Sequence, residues 1–429
     1  MSGPLEGFRI VDLTTIGMGP YATQTMGDLG ADVVKVEAPP GGDMMRNNAA
    51  GRNAGMSSLF LSLNRSKRSI VLDLKAPDGR EALLRIVKSA DVLIFNVRPK
   101  AMARLGLSYE DVAAINPRII YCGLVGSGQD GPYAARGTFD DLIQGASGLA
   151  ALEARMSGTP HYAPGWIADQ GVGLVAVYAV LAALLHRSRT GVGQAVEVPM
   201  FESMAQFVMT PHLLGHTFRP PIGPAGYDRL FHRRPYKTKD GYICAGAYSA
   251  DQWKRFFDLS GQPELKNSPR YDDPRKIAGH IGELYQLFED AMATRTTAEW
   301  MELLDKADIP AMPMHTPESI QQDPHLVATG FFQDVDHPTE GPIRTMAVPT
   351  RWSASRPAPV RQAPCLGEHS AQVLREAGYS DDEIGTLMEK GITRGLSGRQ
   401  PQDHSPSEQP KPARGPGVLE EAPIRSTSP

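Results

Sequence analysis

GMGPYA, residues 17–22, follows the apolar run FRIVDL at 8–13 and opens a helical segment that ends near Leu29. Gly17, Gly19 and Ala22 fit the G-x-G-x-x-G/A fingerprint of a dinucleotide-binding turn. DVVKVE at 32–37 reads as the next strand and ends on Glu37, where a ribose-binding acid is expected. Pro20 argues against a nicotinamide ligand, because it lacks an N–H in the first helical turn, where a pyrophosphate would be held by N–H groups and the helix dipole. The proline is structurally comfortable there. A glycine fingerprint alone leaves an NAD(P)-dependent dehydrogenase and other ligands open.

The alternation begun at residue 8 continues. RIVDL, DVVKVE, SIVLDL, DVLIFNV and RIIYCGLVG are rich in Val, Ile and Leu, and most are separated by segments of helical composition. This pattern predicts an α/β fold, a Rossmann-like parallel sheet with helices on both faces. Near residue 218 the composition becomes turn-rich and basic, then gives amphipathic helices such as DQWKRFFDLSG and GELYQLFEDAMA. The expected organisation is a large domain over 1–220, a smaller α+β domain over 225–305, and a segment over 306–395 that returns to the large domain. The polar, proline-rich tail over 396–429 has too little apolar surface to offset ordering entropy and is expected to be disordered.

With 429 residues and 41% hydrophobic residues, the chain can bury a large core. A net charge of -4 supplies no basic field for nucleic acid or for an anionic membrane. Three cysteines without CxxC spacing argue against a disulfide framework or a zinc knuckle, and fit a reducing cytosol. No signal peptide is visible at the N-terminus. VGLVAVYAVLAALL at 172–185 is shorter than the roughly 20 residues that span a bilayer, so it is expected as a buried core helix.

Motifs such as GxSxG, GxxxxGK[ST] and HExxH are missing. His212 and His216 stand four apart but lack a third ligand, and no metal site is expected. Cys122 reads as a buried small hydrophobe. Asp169 precedes the long apolar helix, with glycines nearby. It suits a helix N-cap, and it also suits an ionised nucleophile that a substrate can approach closely. Two basic clusters, Arg65, Lys67 and Arg68, then Arg98, Lys100 and Arg104, stand at strand ends, where a phosphorylated ligand or solvent could meet them.

Together these segments resemble the family III CoA-transferases, the CaiB/BaiF group that includes formyl-CoA transferase. The matching pieces, among them RIVDLTTIGMGPYATQTMGDLGADVVKVE, NRSKRSIVLDLK, ADVLIFNVRP, FDDLIQGASGL and ADQGVGLVAVYAVLAALLHRSRTGVGQAVEVPMFE, run in order over residues 4–395. The resemblance implies that Asp169 is the catalytic nucleophile. It places Gly17 and Met18 beside the reacting centre, and Leu72, Asp73, Leu74, Lys75, Asn96, Val97, Arg98, Arg104, Gly137, Thr138, Phe139 and Asp140 around coenzyme A. It implies acyl-CoA and small carboxylic acids as substrates, no permanently bound cofactor, and an interlocked homodimer in the cytoplasm.

The chain departs from the pattern in places. Ala38 and Gly137 stand where some relatives carry basic residues, which shifts the phosphate contacts to Arg98, Arg104 and Arg136. The glycine loop of some members is reduced to GPAG at 223–226. Phe139 stands where the related 2-methylacyl-CoA racemases place a proton-transferring histidine, which makes racemase the alternative to transferase. His232, Arg233 and Arg234 could hold a second carboxylate, which would favour a dicarboxylate such as succinate.

Overall fold

The structure is a computed structural model that describes residues 3–271 and 273–396. The expected tail lies, apart from Leu396, outside the described residues. Strands β1 (Arg9–Leu13), β2 (Asp32–Glu37), β3 (Lys67–Val71), β4 (Val92–Phe95), β5 (Ile120–Val125) and β6 (Gln194–Pro199) form one parallel sheet in the order β3-β2-β1-β4-β5-β6. The helices between them are α1 (Met18–Asp28), α2 (Ser58–Asn64), α3 (Pro77–Val87), α4 (Pro99–Arg104), α5 (Tyr109–Ile115), α6 (Asp140–Ala146), α7 (Leu149–Ser157) and α8 (Ile167–Thr190). Helix α9 (Met200–His212) follows β6.

Strand alternation sorts the core into two layers. Ile10, Val33, Val92, Ile94, Ile120 and Cys122 face α1, α8 and α9. Val11, Val34, Leu93, Phe95 and Tyr121 face α3 and α5, joined by Val373, Leu374, Ile384 and Leu387 from the helices Ser370–Glu376 and Asp381–Glu389. Residues 373–387 therefore pack against this face of the sheet. A third core, with Trp253, Phe256, Phe257 and Phe288 at its centre, lies under a three-stranded antiparallel sheet. That sheet joins Tyr236–Lys237, Tyr242–Ala245 and Ala311–Pro313, so its last strand comes from beyond the expected 225–305 segment.

Helix α8 is 24 residues long, where the apolar run alone spans 14. The polar ends ADQ and HRSRT also take helical geometry, and Gly191 ends the helix in a left-handed conformation, donating to the Arg187 carbonyl. An 18-residue window has mean hydropathy 1.8, enough by length and composition to cross a membrane. One face, with Ala168, Val172, Ala176 and Val180, is buried, as a core helix requires. Leu174, Tyr178 and Leu185 on the other face are exposed.

Candidate active site

The sheet reverses its winding between β1 and β4, and the loops that leave β1, β4 and β5 there enclose a cleft of about 370 Å³. This is the crevice where open parallel sheets bind ligands. Residues 15–18, 96–99, 124–126 and 136–139 line it, with Asp169 and Met200 from the first turns of α8 and α9.

Asp169 is the third residue of α8, whose N-cap is Trp166, so the reading of Asp169 as the cap is corrected. Its carboxylate caps nothing. Its N–H donates to Asp140 Oδ2 at 2.8 Å, and Asp140 Oδ1 accepts from Gln144 Nε2 at 2.6 Å. Gln144 Oε1 accepts from the Ala163 N–H at 2.8 Å, which ties α6 to the loop before α8. Gln144 went unnoticed in the sequence, although its i,i+4 spacing from Asp140 is a legible signal. Burial first, then the Asp140 charge, push the Asp169 carboxyl up to about 6. It is still ionised at neutral pH, and more basic than an exposed aspartate.

Gly17, the N-cap of α1, faces this carboxylate so closely that a Cβ there would overlap Asp169 Oδ2. The approach is possible because α1 crosses α8 at Gly173, where a Cβ would stand 2.9 Å from the Met18 carbonyl oxygen. As first-turn residues of α1, Met18 and Gly19 have N–H groups with no intrahelical partner. Donors of this kind can stabilise an oxyanion. Pro20, the third residue of the helix, keeps its own position free of a competing donor.

Most of the residues singled out by resemblance converge here. Arg98 is exposed and lies over Gly137, its Nη2 3.7 Å from the Cβ position there. The Arg136 guanidinium covers the Tyr133 ring at 4.1 Å and also lines the cleft. Thr138 packs on Gly126, and Phe139 is 59% exposed at the cleft wall. Val97 lines it as well. Leu72 is buried in the core, and Asp73, Leu74 and Lys75 follow β3, two strands from β1, so none of the four lines this cleft. Arg104 ends α4, exposed and outside the lining.

The first basic cluster serves the fold instead of a ligand. Arg65 pairs with Asp28 at 2.8 Å, Lys67 with Asp12 at 3.2 Å, and Arg68 with Asp32 at 2.5 Å and Glu376 at 2.8 Å. Glu37 is likewise buried, holding Arg46 through two bonds of 2.7 Å. Burial pushes the Cys122 thiol up to about 12, in keeping with its reading as a small hydrophobe. His212 Nδ1 accepts from the Tyr227 N–H at 3.0 Å. The GPAG turn is bound to the end of α9, where Gly226 donates to the His212 carbonyl at 2.8 Å, and it does not line the cleft. His232, Arg233 and Arg234 lie outside it too, with Arg234 paired to Glu289.

A parallel sheet with a carboxylate nucleophile candidate at its switch point and backbone donors beside it defines a class of acyl-transfer site. The sequence pattern of CoA-transferase family III matches residues 5–370, and the chain belongs to that family. It is a CoA-transferase. It is 31% identical over 393 residues to human succinyl-CoA:glutarate CoA-transferase, covering 91% of this chain and 90% of that one. Against the formyl-CoA:oxalate CoA-transferase of Rhodopseudomonas palustris it is 32% identical over 416 residues, covering 91% and 97%. A crystal structure of a CAIB/BAIF family protein from Brucella suis superposes with a TM-score of 0.74 at 30% identity, covering 88% of this chain and all of that one.

Proposed function

We propose that the enzyme moves CoA between an acyl-CoA and a free carboxylic acid through covalent intermediates on Asp169. The observation that carries this is the Asp169 carboxylate itself, ionised yet made more basic by burial, in contact with Gly17 inside the cleft. One Asp169 oxygen attacks the thioester carbonyl; the C–S bond breaks, CoA leaves as thiolate, and a mixed anhydride remains. The thiolate then attacks the Asp169 Cγ, expelling the donor acid and forming an aspartyl-CoA thioester. The acceptor carboxylate attacks that Cγ, releasing the thiolate and forming a second anhydride. Attack of the thiolate on the acceptor's acyl carbon releases the new acyl-CoA and restores Asp169. No net proton is taken up, so the cycle needs no separate base.

In this reading Met18 and Gly19 donate to the developing oxyanions, while Arg98 and Arg136 meet the phosphates of CoA. The named activities of the two relatives support a small dicarboxylic acid as the acceptor. The exposed Leu174, Tyr178 and Leu185 on α8 and Phe207 on α9 support a homodimer that covers them. Mixing a panel of acyl-CoA donors with a panel of carboxylic acids and reading the products by mass spectrometry tests the activity. Transfer that persists in a folded Asp169→Ala variant would sink the covalent mechanism. The racemase alternative has no support in the cleft, where a phenylalanine that cannot take a proton stands before Asp140.

A further inference from the structure

Ile16 has φ +74°, a left-handed conformation that is an outlier for a β-branched residue, and it immediately precedes Gly17. Such a conformation persists only where its surroundings over-determine it. Here side chains from three other places in the chain hold the backbone of residues 14–16. Asn96, just beyond β4, accepts from the Thr15 N–H through Oδ1 at 3.1 Å and donates to the Thr15 carbonyl through Nδ2 at 2.8 Å. Asp43 Oδ1 accepts from the Ile16 N–H at 3.2 Å. The buried Lys35 donates to the Thr14 carbonyl at 2.8 Å and pairs with Asp43 Oδ2 at 2.8 Å. From β1 itself, Asp12 Oδ1 takes the Thr14 N–H at 2.8 Å and the Thr14 hydroxyl at 2.6 Å.

We propose that Asn96 and Asp43 are positioning residues: they hold the kink at Ile16 and thereby set the Gly17–Met18 backbone against the Asp169 carboxylate. Both Asn96 side-chain groups are engaged with Thr15, so Asn96 acts on the loop as well as lining the cleft. The kink matters because the loop is short. Only Ile16 separates Thr15 from Gly17, the N-cap of α1, so a turn of the Ile16 backbone swings the first N–H groups of α1 away from the nucleophile. The inference rests on Asp169 being the nucleophile, and the test separates the two.

Wild type, Asn96→Ala and Asn96→Asp are mixed with succinyl-CoA, and the Asp169 adduct is trapped with hydroxylamine and timed by mass spectrometry; CoA affinity is measured by calorimetry. The alanine variant is expected to form the adduct about 100-fold more slowly, the loss typical of a misplaced group near reacting atoms, with KM and CoA affinity within about twofold of wild type. The aspartate variant keeps the acceptor for the Thr15 N–H and loses less. A raised KM with unchanged kcat, or unchanged adduct rates in both variants, overturns the positioning role. If the wild type forms no adduct, the nucleophile reading fails instead. In that case a crystal structure of Asn96→Ala still decides: the inference falls if Ile16 keeps its positive φ and Gly17 its contact with Asp169.

Discussion

Replacing Asp169 with asparagine should make the enzyme inactive and, at neutral pH, more stable. Burial and the Asp140 charge raise the carboxyl from its ordinary 3.8 to about 6. At about 1.36 kcal/mol per pKa unit, holding the ionised form in the folded protein costs about 3 kcal/mol, or about 2 kcal/mol once water reaching the open cleft is allowed for. The sign follows from proton binding. The folded state keeps the proton at pH values where the unfolded chain has released it, so this group lowers stability as pH rises from about 4 to about 6. The full cost is present above that window and vanishes below it. Urea denaturation of wild type and Asp169→Asn from pH 4 to pH 8 measures it. The variant should gain about 2 kcal/mol at pH 8, and the gap should close as the pH approaches 4. A variant no more stable than wild type at pH 8, or a gap that stays constant with pH, refutes the desolvated carboxylate.

Four further outcomes follow from the structure. The pH profile of kcat/KM should fall on the acid side near pH 6, as Asp169 takes up its proton. Asp140→Asn should move that limb to lower pH by removing the neighbouring charge, but not as far as an exposed aspartate, because burial, the larger cause, remains. Gly17→Ala places a methyl on Asp169 Oδ2 and should lower kcat by about 100-fold or more while CoA binding, measured by calorimetry, persists. Arg46→Met takes from the buried Glu37 its guanidinium partner and should cost about 3–5 kcal/mol in chemical denaturation, a fold effect with no change in the acid limb of folded enzyme.

The strand runs, the glycine turn and the place of Asp169 were legible because they are local. Period-two and helical patterns, and a carboxylate at the head of an apolar run, need only neighbours within a few residues. Partners were not legible. Glu37 fits a ribose-binding acid in sequence, yet it meets Arg46, Ser69 and the Asp43 N–H in the buried interior. Lys67 looks like a phosphate contact, yet it donates to Asp12, the Pro20 carbonyl and Asn64. Only tertiary packing decided these pairings, because a buried charge takes whichever opposite charge or dipole the fold brings within reach, and its distance along the chain carries no weight. The sequence alone determined a parallel α/β sheet with a glycine turn and a carboxylate that could react. The crossing of α1 and α8 at Gly173, which the missing side chain there permits, is what put Gly17 against that carboxylate.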